Sequence, residues 1–314
     1  MKKIILDVDT GIDDCLAIAY LLAQPNVDIV GITAVYGNVD VNSAALNCAN
    51  LLHLLGRNAI PVYCGAEHAM HESSFVQLRG GKVFHGDNGI GDVHFDENQS
   101  VSTSENAIDF IVSQAQNVKN LTLIATGPLT NIAQAITLNQ QAMQNVERII
   151  LMGGALCVPG NVSPFAEANI SHDAEAAKVV FESGIPITMI GLDVTSRAII
   201  TRSDLEHWKT LSNKSETLLN IQDHYFKAHE LVYPQWHGAA MHDALAAIVA
   251  LEPTLVKTVK LPVTVLTSEQ QYGRTILDLS RISDITTHTV DVAIDMNPQA
   301  FKELLIKSID TVVS

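Results

Sequence analysis

The stretch IILDVDTGIDD, residues 4–14, decides the architecture that the rest of the chain must join. Ile4, Ile5, Leu6 and Val8 form a short apolar run, the pattern of a strand buried on both faces of a parallel sheet. Thr10 and Gly11 turn the chain, and residues 15–22 are apolar enough to form a helix packed back on that strand. Asp9, Asp13 and Asp14 then fall at the carboxyl end of the strand, where open α/β sheets hold their ligands. Asp7 lies two residues before Asp9. Carboxylates this close repel one another unless something positive binds between them. A hard, oxygen-seeking cation such as Ca²⁺ or Mg²⁺ is the natural neutraliser. Complementing a helix dipole would account for one or two of these acids on their own.

Working outward, strand-like runs alternate with helical stretches. Strands are predicted over 27–36, 60–64, 121–125, 148–152 and 187–192, and helices over 43–55, 107–116 and 174–183. Gly127-Pro128-Leu129 opens a further helix, with Pro in its first turn. This rhythm predicts an open, mostly parallel, Rossmann-like α/β sheet flanked by helices. Residues 68–99 are rich in Gly, His and Asp without periodicity and read as a long functional loop. Residues 203–230 are helical and polar, 242–251 form another helix, and 261–267 and 275–279 read as late, paired strands. No linker, repeat or low-complexity segment interrupts the chain, so residues 1–314 are expected to form one domain.

Apolar residues make up 47% of the chain, enough for a large core. The net charge of −15 argues against nucleic acid and anionic membrane as partners. Cys15, Cys48, Cys64 and Cys157 are scattered without zinc spacing and read as reduced thiols. Lys2 and Lys3 precede too few apolar residues for a signal peptide, and no apolar run is long enough to span a membrane. A cytoplasmic location is expected.

Polar residues gather in the strand-end loops. Asn38 follows the second strand, and Thr126 follows 121–125. Asn161, Glu167 and Asn169 lie in the turn after 148–152, and His242 and Asp243 precede the late helix. Each has an ordinary reading. Asn161 after Gly160 makes a turn, Asn169 caps a helix, Asp243 is a first-turn acid, and His242 is a hydrogen-bonded core histidine. Their shared placement at one sheet edge argues for a site.

The motifs DVDTGIDD (7–14), YGN (36–38), HGDNG (85–89), TGPLTN (126–131), MGG (152–154), GNVSPFAEAN (160–169), HDALA (242–246) and GRTILD (273–278) run nearly end to end. In this order the chain resembles the inosine-uridine preferring nucleoside hydrolases. The resemblance implies Ca²⁺ held by Asp9, Asp14, Asp243 and the carbonyl of Thr126, with water and two ribose hydroxyls completing the shell. It implies that Asp13, Asn38 and Asn169 hold the 2′ and 3′ hydroxyls, that Asn161 and Glu167 hold the 5′ hydroxyl, and that Met152 packs beneath the ribose. His242 would face the leaving base, and His85 would sit on a mobile loop closing over it. A homodimer or homotetramer acting on small-molecule ribonucleosides is the implied assembly.

The residue types suit that chemistry. Cleaving an N-glycosidic bond builds positive charge on the ribose, which carboxylates and amide oxygens stabilise in the transition state. Calcium polarises the attacking water, with Asp9 as candidate general base. His242, expected to titrate near neutral pH, would protonate the departing base.

The chain departs from the family pattern at Ala168, where an aromatic residue is usual. His229, Tyr233 and Trp236 are the candidate replacements, while Tyr225 and Phe226 either contact the base or pack a helix. Ala244 stands where Pro is frequent. His242 favours tolerance of pyrimidine and purine nucleosides over purine selection by tryptophan stacking. Two rivals stand beside this reading. A haloacid-dehalogenase-like phosphatase would use Asp7 and Asp9 as its DxDxT acids with Mg²⁺, and needs a downstream lysine that does not stand out. A Ca²⁺-dependent riboside-binding protein without catalysis would have lost acids that are all present here.

Overall fold

The computed structural model describes residues 1–95, 99–102, 105–281 and 289–314. The opening run forms β1 (Lys2–Val8), and α1 (Ile12–Leu22) follows it directly. The helix therefore starts three residues earlier than the apolar pattern suggests, so Asp13 and Asp14 lie in its first turn. Next come β2 (Val27–Ala34), α2 (Val41–Leu54), β3 (Val62–Cys64), α3 (Arg79–His85), α4 (Ala107–Asn117), β4 (Leu121–Ala125), α5 (Thr130–Leu138), α6 (Gln140–Met143) and β5 (Arg148–Met152). The middle of the chain continues with α7 (Ala168–His172), α8 (Ala174–Glu182), β6 (Ile187–Ile190), α9 (Leu192–Thr195), β7 (Ile199–Ile200), α10 (Trp208–Leu211), α11 (Asn213–Val232), β8 (Ala239–Ala240) and α12 (His242–Val249). The last elements are β9 (Val256–Leu261), β10 (Val263–Leu266), β11 (Arg274–Leu277), β12 (Val290–Met296) and α13 (Pro298–Val313).

Among the described residues the main sheet has the order β3-β2-β1-β4-β5-β6-β12-β9. All neighbours are parallel except β9, which runs antiparallel to β12 at the edge. β1 is central, pairing Val8 with Ala34 on one side and Asp7 with Ala125 on the other. The chain goes from β1 out to β3 and then returns to β4, so the loops after β1 and β4 leave in opposite directions. That divergence opens a crevice at the carboxyl ends of the strands. One core cluster joins β1 to α1, α2, α11, α12 and α13, and a second joins β4 and β5 to α4, α5 and α8. Every residue of α1 is buried, and α12 packs against it.

Several expectations are corrected by local chemistry. The predicted strand 261–267 is split, because Pro262 has no N–H to donate and separates β9 from β10. β10 and β11 do pair, antiparallel, with Val263 opposite Leu277. Pro128 precedes α5 instead of lying in its first turn. The loop predicted over 68–99 contains α3, and its residues 96–98 lie outside the described residues.

Candidate active site

The loop after β1 is the floor of the site. Asp9 is 1% exposed and accepts from the Asn38 backbone N–H at 2.8 Å and from Asn38 Nδ2 at 3.0 Å. This fixes the carboxylate plane against the loop after β2. Asp14 accepts from the Gly11 N–H at 2.6 Å and from Thr126 Oγ1 at 2.6 Å, which ties the α1 turn to the end of β4. Asp13 accepts from the Asp243 N–H at 3.3 Å, across the α1–α12 contact. The ligand oxygens of Asp13, Asp14 and Asp243 lie within 4.8 Å of one another. Asp9 adjoins this set through Asp14, carboxyl to carboxyl.

Four buried carboxyls in mutual contact do not all ionise without a counter-charge. Burial, reinforced by Asp14, pushes Asp9 well above the usual carboxylate range. Burial with Asp13 beside it raises Asp14 to about 7, and burial raises Asp13 to about 6. Asp243 is raised well above its ordinary value by burial and by Asp13 and Asp14. Among the described residues the adjoining cavity is lined by no lysine and by a single arginine, Arg79. An all-oxygen, acidic donor set of this kind suits a hard divalent cation, so the residues fit a metal.

Above the cluster opens a cavity of about 580 Å³, of the size that takes small molecules. Asp13, Asn38, His85, Thr126, Met152, Asn161, Glu167, Asn169, His242 and Asp243 all line it, whereas Asp9 and Asp14 lie behind the wall. Asn169 Nδ2 donates to the carbonyls of Thr126 at 2.9 Å and Met152 at 3.1 Å, joining the ends of β4 and β5. Glu167, not Asn169, caps α7. It accepts from the N–H groups of Asn169, Ile170 and Gly154 at 2.9, 3.1 and 3.0 Å. Asn161 Oδ1 accepts from the Ala168 N–H at 3.0 Å, closing the loop between β5 and α7.

Two histidines differ from expectation. His85 is not on an open loop. It is buried at the end of α3, and its Nδ1 accepts from the Ile12 N–H at 3.0 Å. His242 Nδ1 lies 2.7 Å from Thr195 Oγ1, and burial with His229 nearby pushes its pKa down to about 3 instead of near neutral.

The far end of the cavity is aromatic. Tyr225, His229, Tyr233 and Trp236 line it, with Tyr233 and Trp236 stacked at 4.3 Å. Phe226 does not line it and packs under Arg202 instead. Phe84, which sequence reasoning missed, joins the lining and lies 5.0 Å from His229. Ala168 lines the wall and contributes no ring.

Asp7 is separate from all this. Its Oδ1 accepts from Thr33 at 2.5 Å and Asn131 at 2.8 Å, and it does not line the cavity. Held by these two partners away from the cavity, it is not placed to act as the phosphatase nucleophile.

A tight contact makes one prediction here. A Cβ on Gly37 would lie 2.1 Å from Asp9 Oδ2. Gly37→Ala must displace that carboxylate, and a shift of about 1 Å can cost about 10²-fold in rate. The expected result is that kcat falls by that order while the melting temperature changes little.

Fold and site together define an α/β protein with a cavity between a carboxylate cluster and an aromatic wall at the carboxyl ends of its strands. The sequence profile of the inosine-uridine preferring nucleoside hydrolases matches residues 4–303. The chain is 35% identical over 313 residues to a probable uridine nucleosidase 2 of Arabidopsis thaliana, covering 97% of this chain and 96% of that one. It is 34% identical to the pyrimidine-specific ribonucleoside hydrolase RihA of Shewanella baltica, covering 98% and 96%. A purine-preferring ribonucleoside hydrolase from Gardnerella vaginalis superimposes with a TM-score of 0.97 at 39% identity, covering 99% of each chain. The chain belongs to the inosine-uridine preferring nucleoside hydrolase family and is an enzyme that hydrolyses ribonucleosides.

Proposed function

We propose that the protein hydrolyses the N-glycosidic bond of pyrimidine and purine ribonucleosides to ribose and free base, with Ca²⁺ at the carboxylate cluster, in nucleoside salvage. The observation that carries this reading is that the Asp13, Asp14 and Asp243 cluster adjoins, through Asp13 and Asp243, one cavity lined also by Asn38, Asn169 and an aromatic far wall. Bound Ca²⁺ supplies the charge that neutralises the cluster and polarises the attacking water. Asp9, Asp14, Asp243 and the Thr126 carbonyl, joined by Asp13, are the groups to hold it. Asp13, Asn38 and Asn169 orient the 2′ and 3′ hydroxyls, Met152 underlies the ribose, and Asn161 and Glu167 face the 5′ end. Asp9, its carboxylate oriented by the Asn38 N–H and Nδ2, takes the proton of the attacking water.

His242 faces the leaving base, with His85 beside it at the wall. The neutral imidazole would donate an N–H hydrogen bond to the charge building on the base, and would pass a proton to it only after taking one up from solvent, an uptake that the developing anion favours. The aromatic wall of Tyr225, His229, Tyr233 and Trp236 replaces the ring missing at Ala168 and is open to both base classes. The four free thiols support a reducing, cytoplasmic location. A homodimer or homotetramer is the proposed assembly, to be checked by light scattering.

The leaving-group role has a direct test. His242→Ala should slow uridine and inosine far more than p-nitrophenyl riboside, whose leaving group needs no proton. Equal losses would remove His242 from that role. Deoxyribonucleosides should be poor substrates, because one of the two cation-facing hydroxyls is gone. Uridine and 2′-deoxyuridine turned over at equal rates would contradict the proposed ribose geometry.

A further inference from the structure

Ile12 is held from both sides. Its N–H donates to His85 Nδ1 at 3.0 Å, and its carbonyl accepts from Gln222 Nε2 at 2.9 Å. Ile12 is the first residue of α1, and Asp13 and Asp14 follow it. The N–H groups of a first helical turn have no acceptor within the helix. A polar side chain at the cap normally supplies one, but Gly11 stands there. The His85 ring does it instead. A Cβ on Gly11 would lie 2.7 Å from His85 Nδ1 and 2.5 Å from Asn38 Nδ2, so glycine is what admits the ring. His85 ends α3, which carries Phe84, and Gln222 lies on α11, which carries Tyr225 and His229 of the aromatic wall. They touch through Phe84 and Tyr225 at 6.2 Å, and through His85 and Tyr225 at 5.3 Å.

We infer that His85 and Gln222 are positioning residues. They clamp the Ile12 backbone, fix the first turn of α1, and so set the spacing of the Asp13 and Asp14 carboxylates from the base end of the cavity. The inference rests on the reading of the carboxylate cluster as a Ca²⁺ site. Groups that orient metal ligands from outside typically change metal affinity by about 10- to 100-fold. The role differs from contact with the base, because it acts before any nucleoside arrives.

The test is calorimetric Ca²⁺ binding to the metal-stripped full chain without nucleoside, for the unsubstituted protein, His85→Ala, His85→Asn, His85→Gln and Gln222→Met. Asn Oδ1 reaches the position of Nδ1, whereas Gln Oε1 reaches that of Nε2. His85→Ala and Gln222→Met should each weaken Ca²⁺ binding by about tenfold or more. His85→Asn should restore most of the affinity and His85→Gln should not. At subsaturating Ca²⁺, kcat/KM should fall by one common factor on uridine, inosine and p-nitrophenyl riboside. Unchanged Ca²⁺ affinity in folded His85→Ala, with losses only on natural nucleosides, would overturn the inference and leave His85 a base contact. Failure of the unsubstituted protein to bind Ca²⁺ would overturn the metal reading, and the inference with it.

Discussion

Asp9→Asn should lower kcat on uridine and inosine by about 10²–10⁴-fold, the range of a lost general base, while KM stays within a few-fold. The substitution keeps an oxygen to accept the Asn38 N–H, so the loop after β2 has reason to stay in place. What it removes is the carboxylate oxygen able to take up a proton. Asp13 is the comparison. It lines the cavity and is also a carboxylate, so it too is chemically able to take a proton. With its proposed role on the ribose hydroxyls, Asp13→Asn should raise KM more than it lowers kcat. The reverse pattern, a kcat collapse for Asp13→Asn and a mild effect for Asp9→Asn, would transfer the base role to Asp13.

The second large effect is on stability. Asp14 and Asp13 have folded-state pKa values of about 7 and about 6, and Asp9 and Asp243 are also raised. An unfolded aspartate titrates near ~4. Between these values the folded, metal-stripped protein binds more protons than the unfolded chain. Its stability is therefore greatest at or below about pH 4 as far as these groups are concerned, and is lost as pH rises through about 6 to 7. Ca²⁺ should reverse the trend, because the cation binds the ionised, folded cluster. At 100 times its Kd a ligand adds about 2.7 kcal/mol, and each kcal/mol moves the melting temperature of a chain this large by about 1.5 °C. Thermal unfolding at pH 5 and pH 8, with and without Ca²⁺, should show a falling melting temperature only in the stripped protein. Asp14→Asn should raise the stripped protein's melting temperature at pH 8 and erase most of the Ca²⁺ response. A melting temperature indifferent to pH and to Ca²⁺ would mean that the cluster carries neither repulsion nor a cation.

The parts of the fold that were legible are those encoded locally. β1 and the turn after it are contiguous, and the turn glycine and the acids announce the strand end. β4 and β5 were located residue for residue, because uninterrupted apolar runs between turn residues have one simple reading. β12 was missed because Asp291 and Asp295 interrupt its apolar pattern. Arg148 and Lys260 neutralise the first, and Arg197 and Lys257 the second, partners that are invisible along the sequence.

The site divides the same way. Strand-end placement gathered Asn38, Thr126, Asn169 and Asp243 correctly around one cavity. The clamp on Ile12 was not legible, since His85 and Gln222 lie 73 and 210 residues from it in sequence. The titration of His242 was misjudged because an isolated histidine gives no sign of the burial and the neighbouring His229 that suppress its charge.

The measurement that bears most directly on the central claim is ribose release by the metal-stripped protein, before and after Ca²⁺ is restored, on uridine, cytidine, inosine and adenosine beside an Asp9→Ala control. The expected result is little turnover when stripped, recovery on at least one pyrimidine and one purine nucleoside with Ca²⁺, and none in the control. Undiminished turnover by the stripped protein, or turnover that survives Asp9→Ala, would contradict a cation-dependent carboxylate mechanism at this site.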